Sequence, residues 1–399
     1  MNILAKSCKV NKRRIFDDSE LSKIDSYIIL DGGKCKIRNN DIEYNFRQDS
    51  NFYWLTGINE PDYKLAINCF QKKLVIVPPI FDETYLIWNG TMPDFKTMKN
   101  LFEFEDITFD LSDFEVDIVN LEKNKKLLEK KIEELRVIKN KYELKLMETA
   151  CKNSQSVHEN IKNSIVTYSG NVEKIIDKQF RFFTESFKNV TGQAYSPICA
   201  VGKNSSILHY TKNTSELAFG QLFLLDAGCE VLNYASDITR TFGIGLLNEY
   251  QSKIIDIVSD INEKCKNMVK TGVYFREIHN ECMELIYQGI ISLNIIKNEH
   301  MDKKSLISEL FMPHGLGHFI GLDVHDVGGR LYNKITNDSI ILKENMVITI
   351  EPGIYFNKFL LNKYMNLWND NINIYQNIGG VRIEDVVVVK KDNFEQLNK

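Results

Sequence analysis

Short apolar runs broken by turn residues, LVIVPP (74–79) among them, fill the N-terminal part of the chain and predict a modest α/β domain. A different pattern follows. From Glu122 to Arg136 the chain reads EKNKKLLEKKIEELR, with Leu128, Ile132 and Leu135 at helical spacing and charges elsewhere. That spacing predicts a solvated amphipathic connector helix. It divides the chain into one domain over residues 1–136 and another over 137–399. Between Tyr142 and Ile161 apolar residues recur every three or four positions without Pro or Gly, which predicts a helix opening the second domain.

After Tyr195 the pattern becomes that of strands. QLFLLDAGCEV (221–231) and YASDITRTFGIG (234–245) flank a short polar interruption, as in an antiparallel hairpin. A turn centred near Val231 and Leu232 makes Asp226 and Asp237 face each other across the pair. MVITIEPGIYF (346–356) and GVRIEDVVVV (380–389) read as two further strands, and Arg382 and Glu384 are spaced to project from one face of the last.

These strands carry residues that apolar strands ordinarily exclude. Asp226 follows LFLL, Asp237 follows YAS, Glu351 follows VITI and Glu384 follows VRI. Ionised carboxylates survive in such settings only when paired or bound to a cation. With His318 they make an oxygen-rich donor set that suits two hard or borderline divalent cations. Two such cations bring a charge of about +4 against four carboxylates, leaving the site near neutral. That predicts a hydrolase.

Of the seven histidines, three fall within PHGLGHFIGLDVHD (313–326) and His209 sits in ILHY. His314 and His318 are four apart, but Gly315 and Gly317 favour a loop or extended segment over a helix. His158, His279 and His300 lie in polar, helical stretches and are given no role.

The 399-residue chain is long enough to bury a sizeable core, and its 43% hydrophobic and 26% charged residues suit a soluble globular protein. A net charge of -4 provides no basic footprint for nucleic acid or anionic lipid. The eight cysteines show no C-x-x-C spacing, and reduced thiols in a cytoplasmic protein are the simplest reading. The N-terminal MNILAKSCKVNKRR lacks the apolar stretch of a secretory signal, and no membrane association is expected.

VGKNSSILHY, LLDAGCEV with ASDITRTF, FMPHGLGHFIGLDVHDVGG, TIEPGIYF and GGVRIEDVVVV resemble the motifs of the pita-bread metallopeptidases, most closely eukaryotic prolidase, the Xaa-Pro dipeptidase. FRQDSNFYWLTGINEPD (46–62) resembles the creatinase-like domain of the same branch. The resemblance implies an α+β chain, with a C-terminal pita-bread fold behind a smaller N-terminal creatinase-like α/β domain. It implies two divalent metal ions, Mn²⁺ above others, with Asp226 on one, Asp237 and Glu384 bridging, and His318 with Glu351 on the other. Glu351 would shuttle a proton. His209 and His325 would bind the scissile carbonyl region, and His314 would support the pocket. Tyr195 and Arg382 match pocket positions, Arg382 as partner for a substrate carboxylate. Trp88 resembles a loop tryptophan that reaches the neighbouring subunit of a homodimer.

One departure bears on the substrate. Prolidases carry an arginine shortly before the EPG motif that holds the substrate's C-terminal carboxylate, and ITNDSIILKENMVITIEPG (335–353) has none. Arg330, Lys334 or Lys343 are the available substitutes. The motif match to prolidase makes hydrolysis of X-Pro dipeptides the expectation. The missing arginine favours the alternative of an aminopeptidase P acting on longer peptides with proline second, and a further alternative is a pita-bread binding protein that has lost catalysis.

Overall fold

The computed structural model describes residues 2–90 and 114–399, with 97, 99, 106–108, 111 and 112 between them. By internal contacts the chain forms two compact units, Met1–Leu144 and Lys145–Lys399.

In the first unit, strands Ile28–Asp31, Lys64–Asn68 and Lys73–Val77 pair antiparallel, and Asp106–Ile107 adds a parallel edge. The helix Leu121–Arg136 forms as the spacing predicts, but Leu128 and Ile132 are fully buried. It is a packed element of this unit, with only its charged face solvated. The unit extends beyond residue 136 for a chemical reason. Arg136 donates to Asn51 at 2.7 Å, Asn140 donates to Ser7 and Asn11, and Glu143 accepts from the Trp54 indole at 2.8 Å. The helix Lys141–Ser164 then runs across the division.

In the second unit, Leu222–Asp226 lies between Ile198–Val201 and Thr239–Gly243 in an antiparallel sheet. Cys229–Val231 pairs with Tyr234–Ala235 across a turn formed by Leu232 and Asn233, both at positive φ (48° and 64°). Two consecutive left-handed residues make the tight turn whose twist matches paired strands. This corrects the expected turn at Val231–Leu232. Asp226 pairs with Thr239, not Asp237, and Asp237 lies two positions along the same edge.

The last predicted strand is also two pieces. Gly380–Arg382 pairs with Gly353–Tyr355, and Asp385–Val389 pairs with Val347–Ile350. The register runs through both ladders, and it parts where Glu351 and Glu384 fall opposite each other. Helices Glu249–Asn267, Phe275–Ser292 and Lys304–Phe311 pack in the same unit. Among the described residues no helix is long and apolar enough to cross a membrane.

Candidate metal centre

Four segments deliver the acidic and imidazole side chains to one place. The first hairpin supplies Asp226 and Asp237, and Gly228 lets its two arms close. A Cβ there would stand 1.9 Å from the Ser236 carbonyl oxygen. The loop 313–318 supplies His314 and His318 and lies flush on Val347–Ile350: Thr349 N–H donates to the His318 carbonyl at 3.0 Å, and Glu351 N–H to that of Leu316 at 2.9 Å. Gly317 is required by this approach, since a Cβ would meet the Thr349 carbonyl oxygen at 2.0 Å. The parted ladders supply Glu351 and Glu384.

The result is a cleft of about 1250 Å³. Tyr195, His209, Asp226, Asp237, His314, His318, His325, Glu351, Arg382 and Glu384 all line it. Asp237, His318 and Glu384 each bring one ligand atom within 4.8 Å of the others. The Tyr195 hydroxyl lies 2.6 Å from a carboxylate oxygen of both Asp226 and Asp237. His318 Nε2 stands 3.3 Å from Asp237 Oδ2 and 3.7 Å from Glu351 Oε1.

The tautomer of His318 follows from its other nitrogen. Nδ1 lies 3.0 Å from the Phe319 carbonyl, which can only accept, so Nδ1–H donates there and Nε2 is the nitrogen that faces the carboxylates, holding a proton against Asp237 when no cation is bound and free to ligate one when it is. This is the arrangement of a metal-ligating histidine.

Electrostatics point the same way. Burial, then Asp237, Glu351 and Asp226, push Glu384 well above the usual carboxylate range. Burial and Asp237 also raise Asp226, against the opposing Arg382 guanidinium and Tyr195 hydroxyl. Burial lifts Glu351 to about 7, opposed by His318 and Arg382. Burial alone would lower His318, but the Asp237 hydrogen bond and the charges of Glu351 and Asp237 outweigh it, to about 9. Four carboxylates crowd around one permanent cation, and an oxygen-preferring divalent ion would relieve that excess.

Arg382 is 4% exposed, and its donors go to Asp226 Oδ2, Tyr355 Oη at 3.0 Å and Thr239 Oγ1 at 3.1 Å. The Tyr355 hydroxyl in turn donates to His314 Nε2 at 2.9 Å, because His314 Nδ1–H is given to the Gly315 carbonyl. Burial and Arg382 hold His314 at about 4, so it stays neutral. The His325 ring stands edge-on to His318, centroids 4.4 Å apart, and both His325 and His209 are exposed in the cleft.

Several residues of the site were not anticipated. Thr239 donates to Glu384 Oε2 at 2.7 Å, and Thr349 and Tyr355 bind the donor residues from behind. His279, given no role, lines the cleft against Tyr332, ring centroids 5.2 Å apart. Of the three substitute cations, Lys334 lines the cleft ion-paired with Glu309, Arg330 lines it at an exposed position, and Lys343 lies outside the lining. Trp88 lies on the helix Glu83–Asn89 of the first unit, 80% exposed.

Residues 145–391 match the family model for Metallopeptidase family M24, and residues 10–128 match that for Aminopeptidase P, N-terminal domain. A protein named Probable Xaa-Pro aminopeptidase from Tuber melanosporum is 32% identical, over 94% of this chain and 89% of the relative. A second of that name from Botryotinia fuckeliana is 34% identical, over 90% and 86%. Among solved structures, aminopeptidase P from E. coli with the inhibitor Pro-Leu superposes with a TM-score of 0.82 at 25% identity, covering 99% of this chain and 94% of that one. Aminopeptidase PepP of Pseudomonas aeruginosa gives 0.81 at 25% identity, with the same coverage.

Proposed function

The chain belongs to metallopeptidase family M24, and from that premise we propose that it is an Xaa-Pro aminopeptidase, releasing the first residue of peptides whose second residue is proline. Its fold is the α+β arrangement the motifs imply, an aminopeptidase P-type N-terminal domain followed in the chain by a pita-bread catalytic domain.

The observation that carries the hydrolytic reading is the convergence of Asp226, Asp237, His318, Glu351 and Glu384 on one wall of the cleft. When bound there, two divalent cations, Mn²⁺ by the oxygen-dominated donors, supply Lewis acidity and lower the pKa of water. Glu351, half-buried at the edge of the cluster, takes the proton of the attacking water and gives it to the leaving nitrogen. Any peptide nitrogen must gain that proton to leave as an amine, and the X-Pro nitrogen, which carries no hydrogen in the bond, leaves as a secondary amine. His209 and His325 donate toward the scissile carbonyl oxygen, where negative charge develops. Arg382, with its donors on Asp226, Tyr355 and Thr239, is assigned to holding Asp226 and not to the substrate carboxylate first expected for it.

Two features support longer peptides over dipeptides. The relatives carry the aminopeptidase name. Phe275, His279 and Tyr332 line the cleft in addition to the carboxylates, and its volume of about 1250 Å³ exceeds the roughly 300–1,000 Å³ of ordinary small-ligand pockets. Dipeptide hydrolysis retains one supporting feature, the exposed Arg330 on the cleft wall.

The test is a panel of Xaa-Pro peptides of two to six residues, assayed for the released first residue with added Mn²⁺ and after chelation. Release from the longer members, lost on chelation, is expected. Release of proline from dipeptides alone would overturn the aminopeptidase assignment.

A further inference from the structure

We propose that Asn262 is a positioning residue of the carboxylate cluster, tying together the strand pair from which Glu351 and Glu384 emerge; this rests on the metal-dependent reading above. The two ladders on either side share one register, Ile350 with Asp385 and Gly353 with Arg382. Between them the ladder is interrupted at Pro352, which faces Ile383: Ile383 N–H donates to Pro352 O at 3.3 Å, but proline has no N–H to return to the Ile383 carbonyl. Glu351 and Glu384 face each other at a position whose N–H groups point away from the pair, and Glu351 N–H goes to the Leu316 carbonyl at 2.9 Å and Glu384 N–H to that of Thr239 at 3.0 Å. Each bond ties one carboxylate to another donor-bearing segment, Glu351 to the His318 loop and Glu384 to the Asp237 hairpin.

The Ile383 carbonyl, facing Pro352, has no ladder donor, and a buried carbonyl left so is destabilising. Asn262, on the helix Glu249–Asn267 and 1% exposed, supplies one and reaches the facing strand as well. Its Nδ2 donates to Ile350 O at 2.9 Å and to Ile383 O at 3.2 Å. These two residues immediately precede Glu351 and Glu384. A primary amide has two hydrogens, so one can serve the Ile383 carbonyl and the other the second lone pair of the Ile350 carbonyl, whose residue is paired with Asp385.

Arg240 secures the opposite side. Its NH1 donates to the carbonyls of Glu384 at 2.7 Å and Thr239 at 2.9 Å, and NH2 to Asp385 Oδ1 at 2.7 Å. Asp385 is itself held by Lys266 and Asn398. Asn262 thus sets the spacing of the two backbones, and Arg240 sets the height of Glu384.

The experiment is calorimetric titration of the metal-free full-length protein with Mn²⁺, comparing wild type with Asn262→Ala, alongside circular dichroism and steady-state kinetics. A folded Asn262→Ala is expected to bind Mn²⁺ about 10–100-fold more weakly, as when groups supporting metal ligands are removed. Its kcat should fall while KM for the peptide stays within about twofold. If Asn262→Ala does not fold, Asn262→Ser, which keeps one donor, is titrated in its place, with an intermediate loss expected. Wild-type Mn²⁺ affinity in a folded variant overturns the proposal. Wild-type protein that takes up no Mn²⁺ overturns the metal reading itself.

Discussion

His318 presents Nε2 to Asp237 Oδ2 at 3.3 Å, with its Nδ1–H committed to the Phe319 carbonyl. A proton shared across that contact occupies the place a divalent cation would take. Metal should therefore bind the folded chain far better than the unfolded one and stabilise it, by about 2.7 kcal/mol at a free concentration one hundred times Kd. Thermal melts with and without Mn²⁺ check this. Asp237→Asn should lose the Mn²⁺-dependent rise and all measurable activity.

Tyr355 connects two parts of the site through one hydroxyl, accepting from Arg382 and donating to His314. Tyr355→Phe strands a buried guanidinium donor and a half-buried imidazole acceptor. Stability should fall by about 1–3 kcal/mol for each unpaired group, read from denaturant unfolding. Arg382 also holds Asp226, so kcat should drop more than KM rises.

Glu173, fully buried, accepts four hydrogen bonds from the segment that carries His209: Val201 N–H (2.8 Å), Asn204 Nδ2 (3.0 Å), Tyr210 OH (2.7 Å) and Ser215 N–H (2.9 Å). Glu173→Gln replaces one accepting oxygen with a donor facing donors. Hydrogen exchange measured by mass spectrometry should accelerate across 201–215 while the strand Val347–Ile350 remains protected. Unchanged exchange over 201–215 would contradict the role of Glu173 as the anchor of that segment.

His158 is held neutral by burial, which lowers it to about 3, while its Nε2–H donates to the Ala227 carbonyl. The unfolded chain protonates this imidazole below about 6.5 and the folded one does not. The unfolded state thus gains protons as pH falls, and stability drops from about pH 6.5 downward. At pH 5 the single-site cost is about 2 kcal/mol. The raised carboxylates of the metal-free cluster run the other way, so the test is a difference. Unfolding free energies of wild type and His158→Gln, a residue that keeps a donor for Ala227, should converge between pH 7 and pH 5.

Much of this site is legible in sequence because a charge following an apolar strand is costly and stands out, as at Asp226, Glu351 and Glu384. The hairpin turn was misplaced by one residue because Leu232 is an unusual choice for positive φ, and its signal is weak beside that of Asn233. The break at Ile383–Glu384 is invisible in GVRIEDVVVV, whose apolar residues suit an unbroken strand. Its cause is Pro352 on the facing strand, which has no N–H to give the Ile383 carbonyl, and the register that sets the two opposite each other is not marked in either segment. Asn262 and Arg240, which bind the carbonyls there, lie more than a hundred residues away in sequence, and no local pattern marks either. Likewise Thr239 and Tyr355 look like ordinary strand residues until the fold sets them against Glu384 and His314.

The most direct test compares Gly-Pro with Gly-Pro-Leu amidated at its C-terminus, measuring released glycine with Mn²⁺ present. The account predicts kcat/KM at least about tenfold higher for the blocked tripeptide, a difference of about 1.4 kcal/mol in transition-state binding, and loss of both activities on chelation. Preference for Gly-Pro, or turnover that survives removal of the metal, would contradict it.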